Sequence, residues 1–135
     1  MSRPTVLVCD DEEIVRSAVR LVLEREYELI FAKDGEEALK QFEAQPADLV
    51  LLDVKMPRLG GLDVLKTLMT RQPPPRVLML TAYHSVELAQ RATQLGALNY
   101  VSKPFERQDL LDAVAGALTG PRPKSQEPDG DRARQ

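Results

Sequence analysis

The sequence has one cysteine, no excess of positive charge and no long apolar run. Its 135 residues include one cysteine, which excludes an internal disulfide and suits a reducing cytoplasm. The formal net charge is −3, so no basic surface predicts direct contact with nucleic acid. No stretch approaches the roughly 18 apolar residues of a membrane span, and no signal peptide is visible. We therefore expect a cytoplasmic protein that contacts neither membrane nor nucleic acid.

Apolar strand-like runs alternate with segments of helical period five times along the chain, and 43% of the residues are hydrophobic. The predicted strands are 4–9, 28–32, 48–52, 76–80 and 98–101, and the predicted helices are 12–25, 35–44, 61–71, 85–95 and 106–118. The strands at 48–52 and 76–80 are apolar throughout, as expected when helices cover both faces of a sheet. The pattern predicts an α/β domain with a parallel sheet.

Apolar spacing indicates which side of each helix faces the sheet. The predicted core stripes are Ile14, Ala18, Leu21 and Val22 in the first helix and Leu110, Val114 and Leu118 in the last. Leu111 and Ala115 widen the apolar side of the last helix. A partner or a second copy could cover that extra width, or it could pack beneath the first helix.

Residues 1–119 are predicted to form one domain, and residues 120–135 a disordered tail or a truncated linker. Residues 121–135 contain three prolines, seven charged residues and almost nothing apolar. Such a segment buries too little surface to offset the entropy lost on ordering. We favour a stand-alone domain over one part of a longer protein, because the ending shows no start of another apolar pattern.

Charged and polar side chains close four of the predicted strands. Asp10 and Asp11 follow the first strand, Asp53 the third, Thr81 the fourth and Lys103 the fifth. In an open parallel sheet, ligands bind outside the carboxyl ends of the strands, so these groups should converge on one pocket. Three carboxylates, a hydroxyl and an ammonium can together hold a divalent cation, a nucleophilic carboxylate and a phosphoryl group.

Asp53 is the candidate nucleophile, because a carboxylate can accept a phosphoryl group as an acyl phosphate. Mg²⁺ prefers oxygen ligands and would offset the repulsion between carboxylate and phosphoryl oxygens. Asp11 and Asp53 would ligate it directly, Asp10 could act through a bound water, and one backbone carbonyl just after Asp53, such as that of Lys55, could complete the protein ligands. Lys103 would supply a charge to one phosphoryl oxygen and Thr81 a hydroxyl donor to another.

Five short motifs occur in order at the strand ends. They are Asp10-Asp11-Glu12, Asp53-Val-Lys-Met-Pro, Gly60-Gly61, Thr81-Ala82 and Tyr100-Val-Ser-Lys103-Pro104-Phe105. Each is weak alone, but the set is highly specific. Over residues 4–118 the chain resembles a response-regulator receiver domain of the CheY-like superfamily.

This resemblance implies a flavodoxin-like (βα)5 three-layer sandwich with strand order 2-1-3-4-5. It implies that a histidine kinase or phosphotransfer protein phosphorylates Asp53, with Mg²⁺ as cofactor. Thr81 and Tyr100 would be the switch pair, and Lys55 and Tyr83 would occupy the positions that modulate hydrolysis. By the same analogy the bond before Pro104 is cis. The face made by helix four, strand five and helix five would bind a downstream protein or a second copy.

Other functions remain open alternatives. A small Mg²⁺-dependent phosphatase would need a second acid two residues after Asp53, where this chain has Lys55. A nucleotide-binding domain would need a glycine-rich loop after the first strand, and none is present. The chain could instead be a pseudo-receiver that binds partners without phosphate, or the receiver portion of a longer transcriptional regulator. We expect a phosphorelay signalling module that promotes only its own phosphorylation and dephosphorylation.

Overall fold

Five strands alternate with five helices in the computed structural model, which describes residues 3–82 and 85–121. The strands are β1 (Thr5–Cys9), β2 (Glu28–Ala32), β3 (Leu49–Leu52), β4 (Arg76–Thr81) and β5 (Asn99–Ser102). The helices are α1 (Glu13–Leu23), α2 (Gly35–Ala44), α3 (Gly61–Leu68), α4 (Val86–Gln94) and α5 (Arg107–Thr119). Among the described residues, no helix is long and apolar enough to cross a membrane.

All four strand pairings are parallel, and the sheet order is β2-β1-β3-β4-β5. The predicted flavodoxin-like order is therefore confirmed. β3 is buried along its whole length because it lies at the centre of the sheet, with helices on both faces. The central strands end on the same edge, so the residues after them lie side by side.

Alternate residues of each strand point to opposite faces, and the core is accordingly divided in two. On one face, Leu7, Val50, Leu52, Val77 and Met79 pack with buried residues of α2, α3 and α4. On the other face, Val6, Val8, Leu49, Leu51, Leu78 and Leu80 pack with α1 and α5. The two layers fix the strand ends from both sides and leave the carboxyl edge open.

Helix termini follow local chemistry. Asp34 and Ser85 cap α2 and α4 by accepting hydrogen bonds from the N–H groups of Glu37 and Leu88. Gly96, just beyond α4, has a φ of 116°, which suits a glycine after a helix. The prediction that α3 extends to residue 71 was wrong, since it ends at Leu68. The run Pro73-Pro74-Pro75 follows closely, and the residue before a proline is disfavoured in a helix.

The core stripe predicted for α1 was right for Val22 and wrong for Ile14 and Leu21. Ile14 and Leu21 are 83% and 63% exposed, whereas Val19, Val22 and Leu23 are buried. The helix is turned by about one residue, or roughly 100°, from the predicted orientation.

The core stripe predicted for α5 is confirmed at two of its three residues. Leu110 and Val114 are fully buried, but Ala117 completes the buried set and Leu118 is only partly buried. Leu111 packs partly against the same cluster, which favours the alternative that it is covered within the domain. Ala115 is exposed. Of the tail predicted for residues 120–135, residues 122–135 lie outside the described residues.

Two helical glycines should respond oppositely to a methyl group. A Cβ on Gly61 would lie 2.0 Å from the backbone oxygen of Asp53, whereas a Cβ on Gly116 meets nothing within 4 Å. Gly116→Ala should raise the free energy of unfolding by about 1 kcal/mol through helix propensity. Gly61→Ala should lower it by about 1 to 3 kcal/mol because the backbone must shift. Urea unfolding measures both, and equal effects of the two substitutions would contradict this packing.

Candidate functional site

The carboxyl edge of the sheet holds the site residues through backbone hydrogen bonds. The Asp53 N–H donates to the carbonyl of Cys9 at 2.9 Å, and the Lys103 N–H donates to the carbonyl of Thr81 at 2.9 Å. These bonds continue the β1–β3 and β4–β5 pairings by one further step. The site residues are therefore fixed by the sheet itself rather than by flexible loops.

Three carboxylates gather at this edge. One oxygen from each of Asp10, Asp11 and Asp53 lies within 4.8 Å of the others. Asp10 and Asp53 are buried, and Asp11 is exposed. Carboxylate oxygens around an open side are a suitable donor set for Mg²⁺, which keeps several of its waters. The residues present therefore fit the predicted cation.

Asp10 is fully buried but well supplied with partners. Its Oδ1 accepts from the Glu12 N–H at 2.9 Å, and its Oδ2 accepts from the Lys103 Nζ at 2.9 Å. Its backbone carbonyl accepts from the Arg16 guanidinium at 2.7 Å. A buried carboxylate needs such partners, because leaving it unpaired in the interior would be strongly unfavourable.

The Lys103 ammonium, at the end of β5, contacts carboxylates that follow β1 and β3. Its Nζ lies 2.9 Å from Asp10, 3.3 Å from Glu12 and 3.5 Å from Asp53, and its side chain is 10% exposed. Burial alone would lower the pKa of this ammonium, but the hydrogen bond to Asp10 and the nearby carboxylates outweigh it, so the pKa is raised. Lys103 is therefore charged across the physiological range. The bond from Lys103 to Pro104 is cis, as predicted.

For the Asp53 carboxyl, unlike the Lys103 ammonium, the effects that disfavour the charged form outweigh those that favour it. Burial, followed by the neighbouring charge of Asp10, raises its pKa to about 6. The charge of Lys103 and a hydrogen bond from the Lys55 backbone oppose that rise without cancelling it. The metal-free site therefore holds its ionised carboxylate at a free-energy cost that a bound cation would relieve.

The site opens into a cleft of about 780 Å³ at the surface. The cleft is lined by Asp11, Glu12, Asp53, Lys55, Met56, Pro57, Ala82 and Lys103. Lys55 is exposed at this rim, and Tyr83 lies outside the described residues.

Thr81 and Tyr100 meet on the α4 side of β4 and β5. Thr81 is 3% exposed and Tyr100 is 39% exposed. Both line a small, nearly apolar cavity together with Val54, Met79, Leu88, Ala89 and Ala92. The aromatic side chain therefore spans the distance between this interior space and the surface of β5.

Two contacts at the site had no counterpart in the sequence-based prediction. Arg16 reaches back from α1 to the Asp10 carbonyl, and Glu12 pairs with Lys103. Glu12 follows Asp10 and Asp11 in sequence, but no local pattern indicates its partner, because the Lys103 side chain must reach from the end of β5 to the end of β1, past β4 and β3. An arginine in the second turn of an amphipathic helix is equally typical of a solvated face.

Comparisons with known proteins agree with this geometry. Residues 6–115 match the family described as the response regulator receiver domain. The transcriptional regulatory protein PdtaR of Mycobacterium tuberculosis is 37% identical over 116 residues, which cover 84% of this chain and 56% of that protein. Sporulation initiation phosphotransferase F of Bacillus subtilis is 34% identical over 115 residues, which cover 84% of this chain and 93% of that protein.

A solved structure shares the fold. Chemotaxis protein CheY4 of Vibrio cholerae superimposes with a TM-score of 0.82 at 31% sequence identity, covering 87% of this chain and all of that one. The relatives differ in extent, since the chain spans about half the length of PdtaR but nearly all of sporulation initiation phosphotransferase F. The comparison therefore covers proteins that have further sequence beside this domain and proteins that have little.

The raised pKa of Asp53 makes a pH prediction for the metal-free protein. The folded state binds this proton more tightly, with a pKa of about 6 against 3.8 for the ordinary group. The resulting stabilisation is complete below about pH 4 and is lost as the pH rises through about 6. Asp53→Asn cannot ionise, so near pH 7 it should exceed wild type in free energy of unfolding by about 2 to 3 kcal/mol, since each pKa unit is worth about 1.4 kcal/mol.

Urea unfolding in EDTA, near pH 4 and near pH 7, measures the difference in free energy of unfolding between Asp53→Asn and wild type. Asp11→Asn, at an exposed carboxylate of the same cluster, is the matched control and should show a smaller gap. An Asp53→Asn advantage that is the same near pH 4 and near pH 7 would contradict the assignment.

Proposed function

The chain belongs to the response regulator receiver domain family, and we propose that its Asp53 accepts a phosphoryl group from a phosphohistidine donor. The observation that carries the proposal is the meeting of Asp53 with two other carboxylates and the Lys103 ammonium at one open sheet edge. Receiver domains of this family are signalling modules of two-component systems. Residues 1–119 would form that module here.

The transfer is a substitution at phosphorus. An oxygen of Asp53 forms the new bond to phosphorus, and the bond from phosphorus to the donor imidazole breaks with its electron pair kept by the nitrogen. The product is an acyl phosphate on Asp53. Lys103 already lies 3.5 Å from Asp53, so a modest movement brings its charge to a phosphoryl oxygen. The Thr81 hydroxyl would donate to another oxygen.

Magnesium would be held by Asp10, Asp11, Asp53 and the backbone carbonyl of Lys55. When bound, the cation neutralises part of the charge shared by the carboxylates and the phosphoryl oxygens. The exposed carboxylate of Asp11 keeps one side of the site accessible to water. Lys55 and Tyr83 would modulate how readily water reaches the acyl phosphate, and the chain would act on no substrate other than itself.

The donor would be a histidine kinase or a phosphotransfer protein in the cytoplasm. It must reach Asp53 through the open cleft, whose rim adjoins the first turn of α1. Ile14 and Leu21, one above the other on α1, are exposed apolar side chains on that approach. They offer the donor protein an apolar contact beside the site.

The output would pass through Thr81 and Tyr100 to the surface formed by α4, β5 and α5. Movement of the Thr81 hydroxyl toward the phosphoryl group would enlarge the small cavity that both residues line and let the Tyr100 ring turn inward. A downstream protein or a second copy that binds the inward form better would shift the population toward it. We expect such a shift between existing states rather than a new fold.

Two alternatives fit the site less well. A phosphatase would use a carboxylic acid two residues after Asp53, and this chain has Lys55 there, whose ammonium is a much weaker acid. A pseudo-receiver would have no use for an intact set of three carboxylates and a buried lysine. Relatives of both lengths leave a stand-alone protein and a longer transcriptional regulator as two forms of the same proposal.

Phosphorylation should occur at Asp53 alone. Acetyl phosphate with Mg²⁺ should add one phosphoryl group to the wild type, and the bond should be stable to acid and labile to base. Asp53→Asn and Asp53→Ala should accept none, and Asp48→Asn, an aspartate at the opposite end of β3, is the matched control that should label normally. Intact-mass measurement decides the question, and undiminished Mg²⁺-dependent labelling of Asp53→Ala would falsify the proposal.

The switch should be visible by hydrogen exchange. Beryllofluoride, a mimic of the phosphoryl group, should change exchange in α4, β5 and α5 at saturating Mg²⁺. Lys103→Ala should reduce this response more than it reduces Mg²⁺ binding, since Lys103 would contact the phosphoryl group rather than the cation. Changes confined to α1 and α2, with α4 to α5 unaffected, would be evidence against this output surface.

A further inference from the structure

The loop from Asp53 to Gly61 has an unusual shape for its sequence. The Leu59 N–H donates to the Pro57 carbonyl at 2.8 Å, and the residue between them, Arg58, has a φ of 71°. A three-residue turn with positive φ at its centre is rare and strained. Among the described residues, Arg58 is the one non-glycine with positive φ. A glycine would adopt this conformation freely, so a side chain here calls for a compensating contact.

The Arg58 side chain makes that contact across to the start of α2. Its Nε lies 3.6 Å from the Asp34 carboxylate, and its Nη1 lies 3.5 Å from Glu36. Asp34 is itself held in place, because its other oxygen accepts from the Glu37 N–H at 2.8 Å as the cap of α2. The guanidinium is therefore tied to a fixed point of the neighbouring helix.

Close backbone packing brings the same two segments together. A Cβ on Gly35 would lie 2.1 Å from the Leu59 backbone oxygen, so the loop rests directly on the first turn of α2. At the far end, the Gly61 N–H donates to the Val54 carbonyl at 2.8 Å. The two ends of the loop are therefore joined by the Gly61–Val54 hydrogen bond, and its middle is held against α2 by Arg58 and Leu59.

This loop carries the Lys55 backbone and part of the cleft wall into the site. A hydrogen bond from the Lys55 backbone reaches the Asp53 carboxylate, and Met56 and Pro57 line the cleft. We propose that Arg58, by its ion pair with Asp34, is a positioning residue that holds the Lys55 carbonyl where Mg²⁺ is bound. This inference rests on the proposed magnesium site.

A purely electrostatic effect of Arg58 and a positioning role predict opposite changes in Mg²⁺ affinity when Arg58 is replaced. Arg58→Gly removes a positive charge, so a purely electrostatic effect would tighten Mg²⁺ binding. Asp34→Asn keeps the cap of α2 but removes a negative charge, so the same effect would weaken it. If Arg58 positions the loop, both substitutions should weaken Mg²⁺ binding, by about 2- to 5-fold, as expected for a largely exposed ion pair.

Isothermal titration with Mg²⁺, beside urea unfolding in EDTA, tests the proposal. Arg58→Gly should leave the metal-free stability unchanged or higher, because it relieves the positive φ, while its affinity for Mg²⁺ falls. Arg58→Lys, which keeps the charge, should restore part of that affinity. The matched control is Arg71→Ala, which breaks an ion pair between Glu43 of α2 and the segment after α3. It should bind Mg²⁺ as the wild type does.

The outcomes separate this inference from the proposed function. If the wild type binds no Mg²⁺, the magnesium site itself is wrong. If the wild type binds Mg²⁺ and Arg58→Gly binds it equally or more tightly, positioning by Arg58 is overturned while the site stands. Equal weakening by Arg71→Ala would also overturn it, since any lost ion pair would then suffice.

Discussion

The structure depends on the repulsion between two buried carboxylates, Asp10 and Asp53, and on the single ammonium that holds them together. Neither carboxylate could stay ionised in an apolar interior without a partner. Lys103 contacts both and is itself nearly buried, so all three groups rely on one another. The pKa of Asp53 is raised by its burial first and by the charge of Asp10 second, and the charge of Lys103 offsets these only in part. The three carboxylates exceed the one ammonium in charge, and a divalent cation could offset that excess.

The positions of the site residues were largely predictable because the strands are parallel. In a sheet with helices on both faces, every strand must end at the same edge, so polar residues after apolar runs are bound to meet. The positions of Asp10, Asp53 and Lys103 follow from that rule, and so does the strand order once the family motifs are recognised. Asp34 and Ser85 were predictable as caps for an equally local reason, because a short oxygen-bearing side chain before a helix satisfies its free N–H groups.

What could not be predicted depends on contacts between segments far apart in sequence. α1 carries two apolar stripes of the same spacing, one through Ile14 and Leu21 and one through Val15, Val19 and Val22. Periodicity alone cannot choose between them, and in the fold it is the second that packs against the sheet. The ion pair of Arg58 likewise depends on α2 and α3 lying together, which no local pattern of an arginine in a loop reveals.

The two halves of the site differ in how they are held, and the difference bears on how a signal could leave it. Asp53 and Lys103 are bonded to the sheet, so they can move little without disturbing the core. Thr81 and Tyr100, by contrast, line a small, nearly apolar cavity against α4. A packed core transmits force but a cavity permits displacement. If Asp53 is phosphorylated as proposed, we expect the new charge to displace side chains at this cavity, along β4 and β5, before it displaces those of the packed sheet.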